Sequence, residues 1–341
     1  MRRVGAAALL CALLCGCSWR DAGDLSAVTA GAIAPVQGGY ALTAELAIPS
    51  ADSAVPAAQL VTAQADSIAQ AIDRAGYGRD AQLYWSHARM LLLDEQLLRA
   101  GIGDAVRELT LSREVRPSVR LCAVRDTDAA AVLADGASLS GDPVGFALGD
   151  SAEQAVRRSQ APDMPLYRVL DRVCTEGIDA VLPAVTVRDG QAALCGTALL
   201  HDGVLCGWLD EEQTTVLCLL MQSGDTAAVY DGTYRMKLDN LRAAVSADAA
   251  DGVTFAVEVG ADIACESDGQ ARRSAAALRA QCIEVIELLQ RAGCDALGLG
   301  RAWQCADAAA WEQTDADAWR TAPVTVRVTL RSTQSAEGGS T

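Results

Sequence analysis

Two early segments of the chain alternate apolar and polar positions, and a helical spacing follows them. Ser26–Ala34 and Tyr40–Ile48 alternate on either side of a turn that contains proline and glycine, which predicts a β-hairpin. After a polar loop, apolar residues from Val61 to Ile72 recur at helical spacing. This spacing predicts a helix that ends near Gly76.

The next part of the chain mixes buried-strand and helix patterns. An unbroken apolar run at Ala88–Leu93 predicts a buried strand, and two short helices are predicted at 95–101 and from Asp104 onward. This alternation of strands and helices is typical of a mixed α/β unit. The remaining predicted elements of this region are a strand at Ser118–Val124, a small helix within the irregular stretch 126–149, helices at Ser151–Ser159 and Pro165–Thr175, and a strand at Asp179–Val187.

Beyond the Asp189-Gly190 pair, which is typical of a hairpin turn, antiparallel patterns dominate. Ala192–Leu200 and Val204–Trp208 predict a second hairpin, and a helix is expected to begin at Asp210. The later predicted elements are three meander strands at Thr226–Tyr230, Tyr234–Ser246 and Gly252–Glu266, a long amphipathic helix ending at Gly293, a Trp-rich helical segment at Leu299–Trp319 and a strand at Val324–Leu330.

These patterns together predict an α+β fold. It would contain several mixed α/β units with antiparallel sheets, and the long helix would pack on the C-terminal meander. The predicted domains are residues 18–189, with two subdomains divided near 126–150, and residues 190–331. The polar tail, residues 332–341, is expected to be disordered.

The first 17 residues carry a targeting signal. Arg2 and Arg3 precede the apolar run Val4–Leu14, which is too short to cross a bilayer as a mature helix, and small residues then lead into Cys17. This order is typical of a bacterial lipoprotein signal, which predicts that Cys17 is diacylated and becomes the first mature residue. The alternative is an ordinary secretory signal with an incidental cysteine. No second run approaches the length of a membrane helix, so the lipid would be the anchor of an extracytoplasmic protein.

Charge and cysteine content narrow the possible functions. The net charge of -16 argues against nucleic-acid binding and indicates a surface that anionic lipid headgroups repel. Nine cysteines beyond Cys17 are odd in number and irregularly spaced, which favours small core residues, although the sequence leaves disulfides open. No cysteine pair at ligand spacing accompanies His87 or His201, so no metal is predicted.

The sequence offers no recognisable catalytic constellation. It contains no nucleophile elbow, zinc-protease motif or phosphate loop, so no enzymatic activity and no cofactor are predicted. His87 is expected to be a hydrogen-bonded structural residue and His201 a solvent-exposed turn residue. Gly298-Leu299-Gly300 is interpreted as a helix C-cap followed by a turn. Tryptophans recur every eight residues and are expected to pack on the sheet: Trp303, Trp311 and Trp319.

Several blocks, taken in order, carry a family resemblance. After the lipid cysteine stand a tryptophan, charged residues and the pair Asp24-Leu25, and the opening hairpin follows. Trp85–Arg89 then precedes an apolar strand and a helix. In the second half, Leu205–Glu212 contains a Gly-Trp-Leu block, and Cys294–Gly300 contains an Asp-x-x-Gly-x-Gly block. The order of these blocks resembles the Ger(x)C family, the lipoprotein C subunits of bacterial spore germinant receptors.

The resemblance implies a mixed α/β protein of several domains without known catalytic activity. It implies a position on the outer face of the spore inner membrane, beside membrane-embedded A and B subunits, in a complex that senses nutrients and triggers germination. Whether this subunit binds a nutrient itself stays open, and no ligand-binding residue is transferred. Four residues of the C-terminal blocks are expected to matter for folding: Gly207, Trp208, Gly298 and Gly300. The competing class is a lipid-anchored extracytoplasmic solute-binding protein.

Overall fold

The computed structural model describes residues 25–50, 53–79, 81–138, 141–232, 234–249, 252–265 and 267–333. Cys17 with the whole predicted lipoprotein signal lies outside these residues, as does most of the predicted tail. The strands are β1 (Leu25–Val36), β2 (Gly39–Ile48), β3 (Ala57–Ala65), β4 (Gln82–Tyr84), β5 (Met90–Leu93), β6 (Arg120–Val124), β7 (Val181–Arg188), β8 (Gln191–His201), β9 (Val204–Leu209), β10 (Thr226–Asp231), β11 (Tyr234–Asp248), β12 (Thr254–Ile263) and β13 (Val324–Ser332).

The helices alternate with these strands in a pattern close to that predicted. They are α1 (Ile68–Ala75), α2 (Glu95–Ala100), α3 (Gly103–Leu111), α4 (Ala129–Asp135), α5 (Val144–Arg157), α6 (Leu166–Val173), α7 (Glu211–Leu220), α8 (Asp268–Ala292), α9 (Leu299–Ala306) and α10 (Ala308–Gln313). Short 3₁₀ turns occur at Trp85–His87 and Ala316–Arg320. In the described part of the chain, no helix combines the length and the apolar character that crossing a membrane requires.

Nine strands form the first sheet, in the order β3-β2-β1-β5-β6-β7-β8-β9 with β4 also paired to β1. The central strands β1, β5, β6 and β7 are parallel, and antiparallel pairs flank them on both sides. The run Met90–Leu93 is continuously apolar because helices cover both of its faces. Leu91 and Leu93 belong to the main core, whereas Met90 and Leu92 pack with α4 and α5.

The second sheet has the order β10-β11-β12-β13. Its first three strands form the predicted antiparallel meander, and β13 lies parallel to β12 after the crossover through α8. The long helix α8 packs on this sheet, begins at the cap Ser267 and ends at Gly293, whose φ of 76° suits glycine. The α+β fold with its helix-covered C-terminal meander is therefore confirmed. Helix α7, capped by Asp210 as predicted, contacts both sheets.

Two predicted elements are wrong in extent. The helix predicted from Val61 begins only at Ile68, because residues 57–65 form β3 and pair along β2, with Ala65 opposite Tyr40. Helix α5 begins at Val144, seven residues before the predicted Ser151. This early start depends on a distant residue, since the buried Glu45 carboxylate accepts hydrogen bonds from the backbone N–H groups of α5's first turn.

The Asp189-Gly190 turn forms as predicted, with positive φ at both residues, and it joins two strands of one sheet. The boundary predicted at residue 190 therefore falls inside the first sheet, because β8 and β9 extend that sheet across the turn. The second sheet begins later, at β10. Separate folding of residues 190–331 stays a prediction.

Candidate functional site: an acidic cavity between the two sheets

A cavity of about 650 Å³ opens between the end of the first sheet and the helices that cover the second. One wall is the loop between α6 and β7 together with the turn between β8 and β9. The other wall is formed by Asp295 and by the segment from Gln304 to Trp319. Its lining is rich in carboxylates, which belong to Glu176, Asp179, Asp202, Asp295, Glu312, Asp315 and Asp317.

Asp179 connects the two walls. Its carboxylate accepts the backbone N–H of Asp202 at 3.0 Å and that of Asp295 at 2.8 Å. The same carboxylate lies 3.1 Å from Nδ1 of His201. Because Asp179 is buried, these three partners replace the water that an ionised carboxylate requires. The side chain therefore joins the β8–β9 turn to the start of the segment that carries α9.

Asp295 caps the helix on the opposite wall. Its two carboxylate oxygens accept the backbone N–H groups of Leu299 and Gly300, at 2.8 and 2.7 Å, in the first turn of α9. The pKa of Asp295 is raised to about 6: burial is the main cause and the nearby charge of Asp179 adds to it, while the hydrogen bonds from the α9 N–H groups act in the opposite direction. Asp295 therefore loses its proton near pH 6, above the ordinary range of a carboxyl group.

The walls also meet through their backbones. The N–H of Arg301 donates to the carbonyl of Gly177 at 2.8 Å. A Cβ on Gly177, which has a φ of 73°, would lie 2.6 Å from that same nitrogen. A Cβ on Gly300 would lie 2.9 Å from the Cα of Gly177. Only glycine fits at either position, so the contact between the two halves of the chain is close and specific.

His201 is half-buried rather than solvent-exposed as predicted, because Asp179 holds its ring. Partial burial alone would lower the pKa of His201, but the hydrogen bond and charge of Asp179, with a further contribution from Asp202, raise it above 6.5. Potential metal-ligand atoms of these three side chains lie within 4.8 Å of one another. Since backbone N–H groups already occupy the Asp179 carboxylate, the contacts of this cluster hold the two walls together.

The second histidine, His87, has a different environment. His87 is exposed in the 3₁₀ turn after β4, and its ring packs against Tyr84 with centroids 5.1 Å apart. The predicted structural hydrogen bond is therefore replaced by an aromatic contact at the surface. His87 is not among the residues that line the acidic cavity.

The glycine and tryptophan predictions have mixed outcomes. Gly298 has a φ of 72° and precedes α9, so it belongs to a helix start and not to the predicted C-cap. Gly300 must be glycine because a Cβ would press against the backbone of Gly177, and its φ is not positive. Gly207 has room for a side chain, since its Cβ would make only contacts of 3.5 Å or more. Trp208 is half-buried beneath Arg125, whose guanidinium carbon lies 5.2 Å from the ring.

The three C-terminal tryptophans are buried as expected, and two of them pack edge to face: Trp303 and Trp311. The described cysteines are all free thiols. Five are buried, as predicted for small core residues: Cys122, Cys195, Cys218, Cys282 and Cys294. Three others are exposed, contrary to that interpretation: Cys174, Cys206 and Cys305.

Comparisons with known proteins extend over nearly the whole chain. A family model described as "Spore germination protein N-terminal domain" matches residues 20–187. A second, described as "Spore germination B3/ GerAC like, C-terminal", matches residues 195–335. A solved structure titled "Crystal Structure of the GerBC protein" is similar in fold, with a TM-score of 0.58 and 17% identity over 88% of this chain and 96% of that one. Curated proteins gave no match.

Proposed function

Since the chain belongs to the Ger(x)C family of spore germination proteins, we propose that it is the lipid-anchored C subunit of a nutrient germinant receptor. In this proposal it acts by contact with membrane-embedded A and B subunits. The observation that carries the proposal is the succession of the two family models, which match residues 20–187 and 195–335 in order. The similar fold of the GerBC protein supports the family assignment along both halves of the chain.

The anchor would be a lipid on Cys17, and this would orient the molecule. Eight residue steps separate Cys17 from Leu25, where β1 begins, so at ~3.5 Å per residue the two lie at most ~28 Å apart. The end of the first sheet that carries Leu25 would therefore face the membrane. Tyr77 lines the same cleft as Leu25 and is 89% exposed, which makes it a candidate contact for the membrane-embedded subunits.

We propose that the subunit performs no reaction. The two most buried carboxylates of the acidic cavity, Asp179 and Asp295, are occupied by backbone N–H groups. These hydrogen bonds connect the two halves of the chain and cap helix α9. Substitution of both histidines, His87 and His201, should then affect germination only through folding or assembly. A double variant that folds and assembles normally but fails at a catalytic step would contradict this part of the proposal.

The competing class, a lipid-anchored solute-binding protein, requires two equivalent α/β lobes around a hinge. In this chain the parallel strands β1, β5, β6 and β7 form one central block, and the second half is a separate antiparallel sheet with one added parallel strand. Calorimetric titration of the protein with amino acids, sugars and nucleosides should show no tight stoichiometric binding. Tight binding of one of them would favour the solute-binding function.

A lipid-labelling experiment tests the anchor. Wild-type protein should incorporate radiolabelled fatty acid and sediment with membranes, whereas Cys17→Ala should remain as unprocessed precursor without label. Cys15→Ala is the matched control, since Cys15 lies upstream of the predicted cleavage site, and it should leave labelling intact. Labelling that persists in Cys17→Ala would show that the proposed anchor residue is wrong.

A further inference from the structure

Strand β3 is an open edge of the first sheet. It stands at one end of the strand order and, among the described strands, pairs with β2 alone. The β1–β2 hairpin closes with the pair Val36 and Gly39, so next to this turn β2 bonds to β1 through its odd-numbered residues and to β3 through its even-numbered ones. In the register of β2 with β3, the odd-numbered residues of β3 then bond to β2. The even-numbered residues of β3 direct their backbone groups outward: Ala58, Leu60, Thr62 and Gln64.

An independent contact supports this orientation of the strand. Nη1 of Arg74, in helix α1, donates to the carbonyl of Gln64 at 2.7 Å, so the last outward carbonyl of the edge is already paired with a side chain. At the other end, Pro56 precedes the strand and has no N–H to offer. Between these limits, the outward backbone groups from Ala58 to Thr62 have no hydrogen-bond partner among the described residues.

This open stretch lacks the features that usually protect an edge strand from other chains. Residues 57–65 include no charged residue and no proline, and most of them are exposed, with Leu60 at 37%. The edge strand β13 of the second sheet, in contrast, carries Arg327 and Arg331. A long, exposed and uncharged edge is a template on which another strand can pair.

The edge begins at the end of the first sheet that carries Leu25. Ala57, the first residue of β3, pairs with Ile48, which lies beside the start of β1. Arg79 lines the same cleft as Leu25, and its Nη2 donates to the side chain of Gln59 on β3 at 3.3 Å. In the orientation that a lipid on the N-terminal segment would give, this end of β3 lies nearest the membrane.

We propose that the open edge of β3 binds an extended, uncharged segment of a membrane-embedded partner subunit, which adds a tenth strand to the first sheet. This inference rests on the proposed function and names the surface through which that contact is made. The partner's backbone would pair with the outward groups from Ala58 to Thr62, and its small or apolar side chains would pack beside Leu60. A segment that rises from the membrane would meet the Ala57 end of the edge first.

Two other occupants fit this geometry less well. A second copy related by a twofold axis would pair β3 with β3 antiparallel, so the Leu25 ends of the two copies would point in opposite directions, whereas their lipids would lie in one membrane. The chain's own residues 18–24 join β1 at Leu25 and would have to pass β2 and β3, about 14 Å, before they could pair with the edge. That path uses about four of the seven residues and leaves too few for a strand.

Hydrogen exchange measured by mass spectrometry tests the proposal on the full chain. In the free protein, the outward amides from Ala58 to Thr62 should exchange fast, because no acceptor protects them. In the detergent-solubilised complex with the membrane subunits, exchange of these amides should slow by at least about tenfold. Fast exchange that persists in an intact complex would overturn this inference and leave the proposed function standing. Failure to isolate any complex would overturn the proposed function and this inference with it.

Substitutions at one edge position separate backbone pairing from side-chain contact. Leu60→Pro removes an outward N–H but none of the bonds to β2, and it should lower the recovery of the membrane subunits with the tagged chain by about tenfold. Leu60→Thr is the matched control, since it removes the apolar side chain and keeps the N–H, and it should recover them at nearly the wild-type level. Equal recovery with the two variants would overturn the proposal. If Leu60→Pro fails to fold, as judged by its Tm, the exchange measurement on the wild type decides the matter.

Discussion

Replacing Asp179 by asparagine removes the charge that joins the two walls of the acidic cavity. The wild-type carboxylate accepts the N–H of Asp202, the N–H of Asp295 and a hydrogen bond from His201. An asparagine keeps one acceptor oxygen, but its amide group turns a donor toward groups that are themselves donors. Asp202 and Asp295 donate to different oxygens of the carboxylate, so whichever way the amide is oriented, one of these two backbone N–H groups loses its acceptor.

The expected cost follows from these contacts. One unsatisfied buried donor costs ~1–3 kcal/mol, and the remaining hydrogen bonds lose their charge assistance. The free energy of unfolding should therefore fall by ~2–4 kcal/mol, measured by urea denaturation at pH 7. Asp202→Asn is the matched control, since that side chain is 90% exposed and only 3.8 Å from Nε2 of His201, and it should cost under about 0.5 kcal/mol.

The same variant changes the titration of His201. In the wild type the raised pKa means that His201 contributes stability that is fully present below pH 6.5 and is lost as pH rises through the folded-state pKa. Without the Asp179 charge, partial burial dominates and the pKa should fall. Because the chain has two histidines, NMR titration resolves the His201 signal from the other one. An unchanged His201 titration together with unchanged stability would refute the assignment of Asp179 as the link between the walls.

Further predictions concern the junction, the first sheet and the domain boundary. Gly177→Ala should lower the free energy of unfolding by at least ~2 kcal/mol more than Gly190→Ala, because both positions have a φ of 73° but only the first would press a Cβ against backbone; equal urea midpoints would contradict this. Glu45→Gln should cost ~2–4 kcal/mol in the same assay, since its amide would face the N–H groups that start α5; a wild-type midpoint would count against the cap. The raised pKa of Asp295 gives the wild type ~3 kcal/mol of stability that is fully present below pH 3.8 and is lost as pH rises through about 6. The free energy of unfolding of the wild type minus that of Asp295→Asn should therefore fall between these two pH values; a constant difference would rule out the shift. The boundary predicted at Gly190 requires a fragment of residues 191–335 to give a cooperative calorimetric transition even though its β8 lacks the partner strand β7; a fragment without such a transition would contradict the boundary.

Local sequence patterns predicted most helices and strands of this fold, but not the long-range contacts that decide where some of them begin. The Tyr40–Ile48 strand and the helix ended by Gly293 follow from alternation and capping, and both are confirmed. The spacing of Val61 and Ala65 suits a helix equally well, and pairing with β2 makes that segment a strand instead. The start of α5 was beyond local reasoning because its cap, Glu45, lies 99 residues earlier than Val144.

The candidate site was still less predictable, because it is assembled from distant segments. Asp179 and Asp295 are 116 residues apart, and nothing near Asp179 in the sequence marks it as the partner of a helix start. The Asp-x-x-Gly-x-Gly block did contain the cap Asp295 and the tight glycine Gly300, so the resemblance held the relevant signal. His201 was misinterpreted because a hairpin turn usually faces solvent, and only the fold brings Asp179 to it.

Co-purification from spore membranes tests the central claim most directly. An affinity-tagged copy of the chain, expressed in a spore-forming host that carries its receptor genes, is isolated from detergent-solubilised inner membranes, and the co-purifying proteins are identified by mass spectrometry. We expect the A and B membrane subunits in comparable amounts, and a large loss of both with Cys17→Ala. Recovery of the correctly folded, lipid-labelled chain without either membrane subunit would contradict a role in which this protein acts by contact within the germinant receptor.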